Sequence, residues 1–119
     1  MKKRAVCYCR CPADGQPEAM EWIDRLKAQA MANGCEVVDI LLERKVGSGR
    51  PVLRCLLDQA CAGEFGAILV PGLSHLSRDS EEFLRIHEFL QQYGIRVISA
   101  KGEDAEATVA LLKCVRHLG

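Results

Sequence analysis

At 119 residues the chain offers one domain's worth of sequence, enough to enclose a single core. Sixteen basic residues balance sixteen acidic ones, so the net charge of zero excludes a globally basic nucleic-acid binder, and any DNA contact has to come from a local cluster. No run of about 18 apolar residues is present to span a membrane, and Met-Lys-Lys-Arg leads into a strand rather than a signal-peptide core, so the expected location is cytoplasmic.

The first element is the stretch RAVCYCRCPADGQ, residues 4 to 16. Residues 5 to 11 alternate small apolar or thiol side chains with Tyr8 and Arg10, which predicts a strand with the two sets on opposite faces. Arg10 is the exception in an apolar strand. Burying a guanidinium there is costly unless it faces a cleft or an anion, and Pro12, with no N–H, stops the ladder just beyond it.

Residues 18 to 33 place Ala19, Trp22, Ile23, Leu26 and Ala30 on one helical stripe, ended by Asn33-Gly34. Residues 36 to 43 read as a second strand, and the Gly-rich basic segment RKVGSGR after it as a loop. Pro51 suits the first turn of a helix carrying Val52, Leu53, Leu56, Leu57 and Ala60. The run AILV at 67 to 70 reads as a buried parallel strand, with PGLSHLSR as the loop beyond it.

Asp79 or Ser80 is expected to cap the next helix, with Glu82 completing a capping box and Phe83, Ile86, Phe89 and Leu90 forming its apolar stripe up to Tyr93-Gly94. Residues 95 to 100 give a fourth strand. Residues 104 to 117 give a last helix with Val109, Leu112 and Val115 on one side. The order βαβαβαβα predicts an α/β fold, a mostly parallel sheet with helices on both faces.

The seven cysteines are Cys7, Cys9 and Cys11 on one face of the first strand, then Cys35, Cys55, Cys61 and Cys114. A disulfide framework does not suit a chain with no signal peptide. Zinc sites favour a turn-borne Cys-x-x-Cys, whereas Cys-x-Cys-x-Cys on a strand spaces sulfurs about 7 Å apart along a line. The expectation is reduced, mostly buried thiols packed as small hydrophobes, with no metal and no cofactor.

Parallel strands bring the loops after the first three strands to one carboxyl edge, and with them Arg10, Arg44, Lys45, Arg50, His75 and Arg78. Guanidiniums converging in this way suit a phosphate group, through charge-assisted bonds. A set of separately solvated loop cations is the alternative.

Three blocks in this order carry a family resemblance: Tyr8-Cys9-Arg10-Cys11-Pro12 with Gln16, then Ser48-Gly49-Arg50-Pro51-Val52-Leu53, then Leu73-Ser74-His75-Leu76-Ser77-Arg78. They resemble the blocks of the catalytic domain of serine site-specific recombinases, the resolvases and invertases, over about residues 4 to 100. The resemblance implies a resolvase-like, flavodoxin-like three-layer fold over residues 1–119, DNA as partner, and assembly into homo-oligomers or with an intact recombinase. It also implies cleavage of DNA by a serine hydroxyl through a phosphoserine link, with arginines holding the phosphate.

Carried over by position, Arg10, Arg50 and Arg78 match the arginine cluster and Gln16 the glutamine after the nucleophile loop. Four departures stand in the same blocks. Pro12 occupies the serine position, Ser74 the aspartate position and His75 an arginine position, while Ser48-Gly49 runs into Arg50-Pro51 without the family's intervening loop. Proline has no nucleophilic atom. The resemblance also implies a long dimerising helix and a separate C-terminal DNA-binding domain, for which the residues after 104 leave no room. The sequence thus leads to a catalytically impaired recombinase-like module binding DNA or protein. An active enzyme with its nucleophile relocated to Ser48, Ser74 or Ser77 stays open, as does an unrelated flavodoxin-like phosphate-binding domain.

Overall fold

The computed structural model describes residues 2–11, 16–44 and 49–118. The chain runs β1 (Lys3–Cys11), α1 (Gln16–Ala32), β2 (Cys35–Arg44), α2 (Pro51–Cys61), β3 (Ala67–Val70), a 3-10 turn (Leu73–His75), α3 (Ser80–Gln92), β4 (Arg96–Ser99) and α4 (Ala105–Leu118). Four parallel strands form one sheet in the order β2-β1-β3-β4. The α/β class with helices on both faces is as expected from the sequence.

Alternation along β1 sorts the core into two layers. Ala5, Cys7, Cys9 and Cys11 face α1 and pack with Ala19, Leu26, Ala30, Cys35, Ala67 and Leu69. Val6 and Tyr8 face the opposite layer, with Leu53, Leu56 and Ala60 of α2, Phe83, Ile86 and Leu90 of α3, and Ala105 and Val109 of α4. The chain moves from β1 to β2 on one side, then crosses back over β1 to β3. Because crossovers are right-handed, that reversal puts α1 and α2 on opposite faces, and it opens the ligand crevice of such sheets at the carboxyl ends of β1 and β3.

One irregularity in the sheet has a large effect. The pairing of β1 with β2 slips between Ala5↔Val37 and Val6↔Asp39, leaving Val38 as an extra residue. Side chains alternate strictly, so a one-residue bulge turns over everything beyond it. Ile40, Leu42 and Arg44 thereby fall opposite Cys7, Cys9 and Cys11, while Leu41 and Glu43 fall opposite Tyr8 and Arg10.

Two sequence expectations need correction. The capping box on α3 is half made: Asp79 accepts the Glu82 N–H at 3.0 Å, but the Glu82 carboxylate turns to Arg50 instead of back to the cap. On α4, Val109 is buried as expected, whereas Val115 is 57% exposed beside Leu111 at 65%. The helix therefore presents an apolar outer stripe besides its core face. Four of the seven thiols are buried, those of Cys7, Cys9, Cys11 and Cys35, and Cys55, Cys61 and Cys114 are exposed.

Candidate functional site

The carboxyl edge is built around the end of β1. Arg10 is half-buried there, and its backbone N–H donates to Nδ1 of His75 at 2.9 Å. The 3-10 turn after β3 thus closes over β1 through an imidazole rather than through backbone alone. An acceptor at Nδ1 leaves the proton of the neutral ring on Nε2. Trp22 of α1 meets the His75 ring edge-on, with centroids 5.9 Å apart, and Arg25 lies over the same indole at 5.6 Å. Nε of Arg10 is buried and has no hydrogen-bond partner among the described residues. A buried donor left in that state marks a place where a ligand acceptor would be favourable.

Arg50 sits immediately before α2 and points inward. Its Nη2 donates to the Tyr8 hydroxyl at 2.8 Å and to the His75 carbonyl, and its Nη1 to the Leu76 carbonyl. Nη1 also lies 3.4 Å from Glu82 Oε1. The guanidinium therefore fastens the 3-10 turn to β1 and to the start of α3. Its outer donors are used inside the protein.

Beneath Arg50 lies a carboxylate that sequence reasoning missed. Glu43 is only 3% exposed and collects three donors: the Tyr8 hydroxyl at 3.0 Å, the Leu53 N–H at 2.9 Å and the Val52 N–H at 3.1 Å. These bonds complete the start of α2. Arg50 supplies no side-chain cap, Pro51 has no N–H to satisfy, and the Arg54 N–H takes the Arg50 carbonyl at 3.1 Å. A buried anion at a helix N-terminus is favoured by the helix dipole. Burial pushes the Tyr8 phenol above its ordinary range; Arg50 opposes the rise and Glu43 adds to it. A signal for Glu43 did exist, since a helix opening Arg-Pro with no Ser, Thr, Asp or Asn cap requires its acceptor from elsewhere.

The other expected site residues are more scattered. Ser74 and Arg78 are exposed and line a cleft of about 370 Å³ with Leu73, Phe83 and, from α4, Thr108 and Leu112. Ser77 is buried, and its hydroxyl is spent on the Asp79 backbone, accepting from N–H at 3.0 Å and donating to the carbonyl at 3.2 Å. Gln16 opens α1. Pro12, Lys45 and Ser48 lie outside the described residues, as does the side chain of Gln16. Arg10, His75 and Arg50 are thus linked directly, while Arg78 makes no described contact with them.

The thiols of β1 belong to the core rather than to this edge. Burial pushes Cys7 up to about 11 against the pull of Lys27, and pushes Cys9 up to about 12, with Cys11 and Cys7 adding to the rise. Such thiols are poor nucleophiles at neutral pH. Among the described residues no three His, Cys, Asp or Glu side chains gather to hold a metal ion.

The same architecture is found in solved structures of serine recombinase and integrase catalytic domains. The catalytic domain of TP901-1 integrase superposes with a TM-score of 0.84 at 24% identity, covering 98% of this chain and 96% of that one. A resolvase family site-specific recombinase from Streptococcus pneumoniae gives 0.82 at 24% identity, covering 98% and 87%. The catalytic domain of ISC1926 TnpA, an IS607-like serine recombinase, gives 0.75 at 20% identity, covering 97% of each. A search of curated proteins finds no match. At such identities the structures establish a shared fold, and the family is established by sequence. Residues 5–115, from β1 into α4, match the resolvase N-terminal domain, and the chain belongs to that family.

Proposed function

We propose that this domain engages DNA through its phosphate backbone without cutting it. The observation that carries this reading is the commitment of Arg50, whose terminal nitrogens bind Tyr8, the turn carbonyls and Glu82 rather than facing outward. With Pro12 at the family's serine position, the edge keeps cations for a phosphate but has no nucleophile there. Arg10, with its unmet Nε, and the exposed Arg78 supply the contact. The match to a recombinase family supports DNA as the partner. The exposed Leu111 and Val115 of α4 support pairing with a second copy or with an intact recombinase. A cytoplasmic place goes with this reading, and no helix among the described residues is long and apolar enough to cross a membrane.

The relocated-nucleophile reading is weakened at Ser77, whose hydroxyl is engaged by the Asp79 backbone. At Ser74 the adjacent base, His75, already uses Nδ1 as an acceptor for the Arg10 N–H. The family match removes the unrelated phosphate binder.

Fluorescence anisotropy with a short DNA duplex tests the proposal. Arg10→Gln and Arg78→Gln should each weaken binding several-fold and lower the salt slope by about one, as loss of a phosphate contact does. Arg50→Gln should instead lower the melting temperature. Unchanged affinity in both Arg10→Gln and Arg78→Gln would contradict the phosphate contact.

A further inference from the structure

We propose that Arg25, laid over the Trp22 ring, is a further phosphate ligand for DNA, set on α1 outside all three sequence blocks and beside the Arg10 edge. The inference rests on the phosphate-engaging reading of that edge and adds a residue to it. Its basis is a run of contacts. The Arg10 N–H donates to His75 at 2.9 Å, the His75 ring meets Trp22 with centroids 5.9 Å apart, and the Arg25 guanidinium lies 5.6 Å from the indole centre.

A guanidinium attracted to a ring face spends none of its N–H donors on that contact, so they stay available to an acceptor. Trp22 thus holds the cation in place and leaves its donors open. An ion pair is the local alternative, because Glu21 stands four residues before Arg25, the favourable order for pairing on a helix. It is not made. The ion pairs among the described residues are Arg50–Glu82 and His87–Glu106, and Arg25 stays exposed.

Arg50 supplies the contrast. Its guanidinium also lies near an aromatic ring, 5.7 Å from Tyr8, but its terminal nitrogens are taken by the Tyr8 hydroxyl and the turn carbonyls. One arginine is a fastener and the other an open ligand. The two ring distances keep Arg25 within roughly a dozen ångströms of the His75 ring, the span of about three nucleotides at ~3.4 Å of rise each. A strand held at the Arg10 edge therefore brings a second phosphate to Arg25.

Fluorescence anisotropy with a short DNA duplex tests this on the whole domain. Arg25→Gln should weaken binding several-fold and lower the salt slope by about one, as loss of one phosphate contact does. Arg96→Gln is the control for net charge, since Arg96 is exposed at the start of β4, the opposite end of the parallel sheet, and it should bind as the wild type does. Trp22→Leu should weaken binding, and Trp22→Phe, which keeps a ring face under Arg25, should restore most of it. Trp22 is the chain's one tryptophan, so saturating duplex should also change the emission of the unmodified protein.

Wild-type affinity and slope in Arg25→Gln, beside weakened Arg10→Gln and Arg78→Gln, would overturn the inference and leave the Arg10 edge standing. Equal losses in Arg25→Gln and Arg96→Gln would overturn it as an effect of net charge alone. Indole emission unmoved at saturating duplex would overturn it without any variant, and no binding by the wild type would overturn both readings. Melting temperatures check that the variants fold.

Discussion

Glu43 shows how much a single buried side chain organises here. Three donors converge on its carboxylate, from Tyr8, Val52 and Leu53. Glu43→Gln keeps the shape but turns one acceptor into an amide N–H facing a donor, and should cost about 2–4 kcal/mol in urea unfolding. Tyr8→Phe should cost about 1–2 kcal/mol, since it removes the hydroxyl joining Glu43 to Arg50. The double variant should be less destabilised than the sum, by at least about 0.5 kcal/mol, because both changes break one network. Strict additivity would show that the bonds act separately. Arg10 was legible because a cation in an apolar strand is an anomaly, and Arg50 because it falls in a recognisable block. The direction in which Arg50 points was not legible, because it depends on Tyr8, Glu43 and two turn carbonyls brought in from distant positions.

Among the elements, strands and helices followed from periodicity almost to their ends. β3 lies at residues 67–70 as the apolar run predicts, and α3 stops at Tyr93-Gly94, where Gly94 takes a φ of +70° that an L side chain rarely adopts. The bulge in β2 was not legible, because Glu36–Glu43 reads as one apolar run and alternation alone does not locate an extra residue. Val38 turns Glu43 toward Tyr8; without it the carboxylate would face the thiol layer under α1. At the start of α3 the divided capping box gives a clear expectation. Asp79→Ala should cost about 1 kcal/mol by loss of the bond to the Glu82 N–H. Glu82→Gln should cost less, because its exposed pairing with Arg50 is screened by solvent. The opposite ranking in denaturant unfolding would show that Glu82 completes the cap after all.

For the molecule as a whole, the thiol layer sets an alkaline limit on stability. The folded-state pKa values of Cys7 and Cys9 lie at about 11 and about 12, above the ordinary 9.0, because burial disfavours the thiolate. The unfolded chain therefore loses these protons first as pH rises. The protection is complete below 9.0 and declines from there through about 12, with the raised Tyr8 phenol acting in the same sense. Urea midpoints should fall steadily over that interval, and Cys9→Ala should flatten part of the fall. A midpoint constant from pH 9 to 11 would show that the thiols ionise in place.

The same whole-molecule view bears on chemistry. On the proposed reading, a recombinase-family sheet that presents Arg10 and Arg78, has Arg50 turned inward and, by the block resemblance, carries Pro12 where the family has its serine should hold DNA and leave it uncut. On the same reading, restoring one group should be insufficient, since loss of a single transition-state donor commonly costs about 10² to 10³ in rate, and the block resemblance puts His75 at an arginine position. The most direct measurement is trapping of a covalent protein–DNA adduct on supercoiled plasmid. No adduct is expected from the wild type or from Pro12→Ser. An adduct formed by the wild type and abolished by Ser48→Ala or Ser74→Ala would contradict the account, because the domain would then be a working recombinase with a relocated nucleophile.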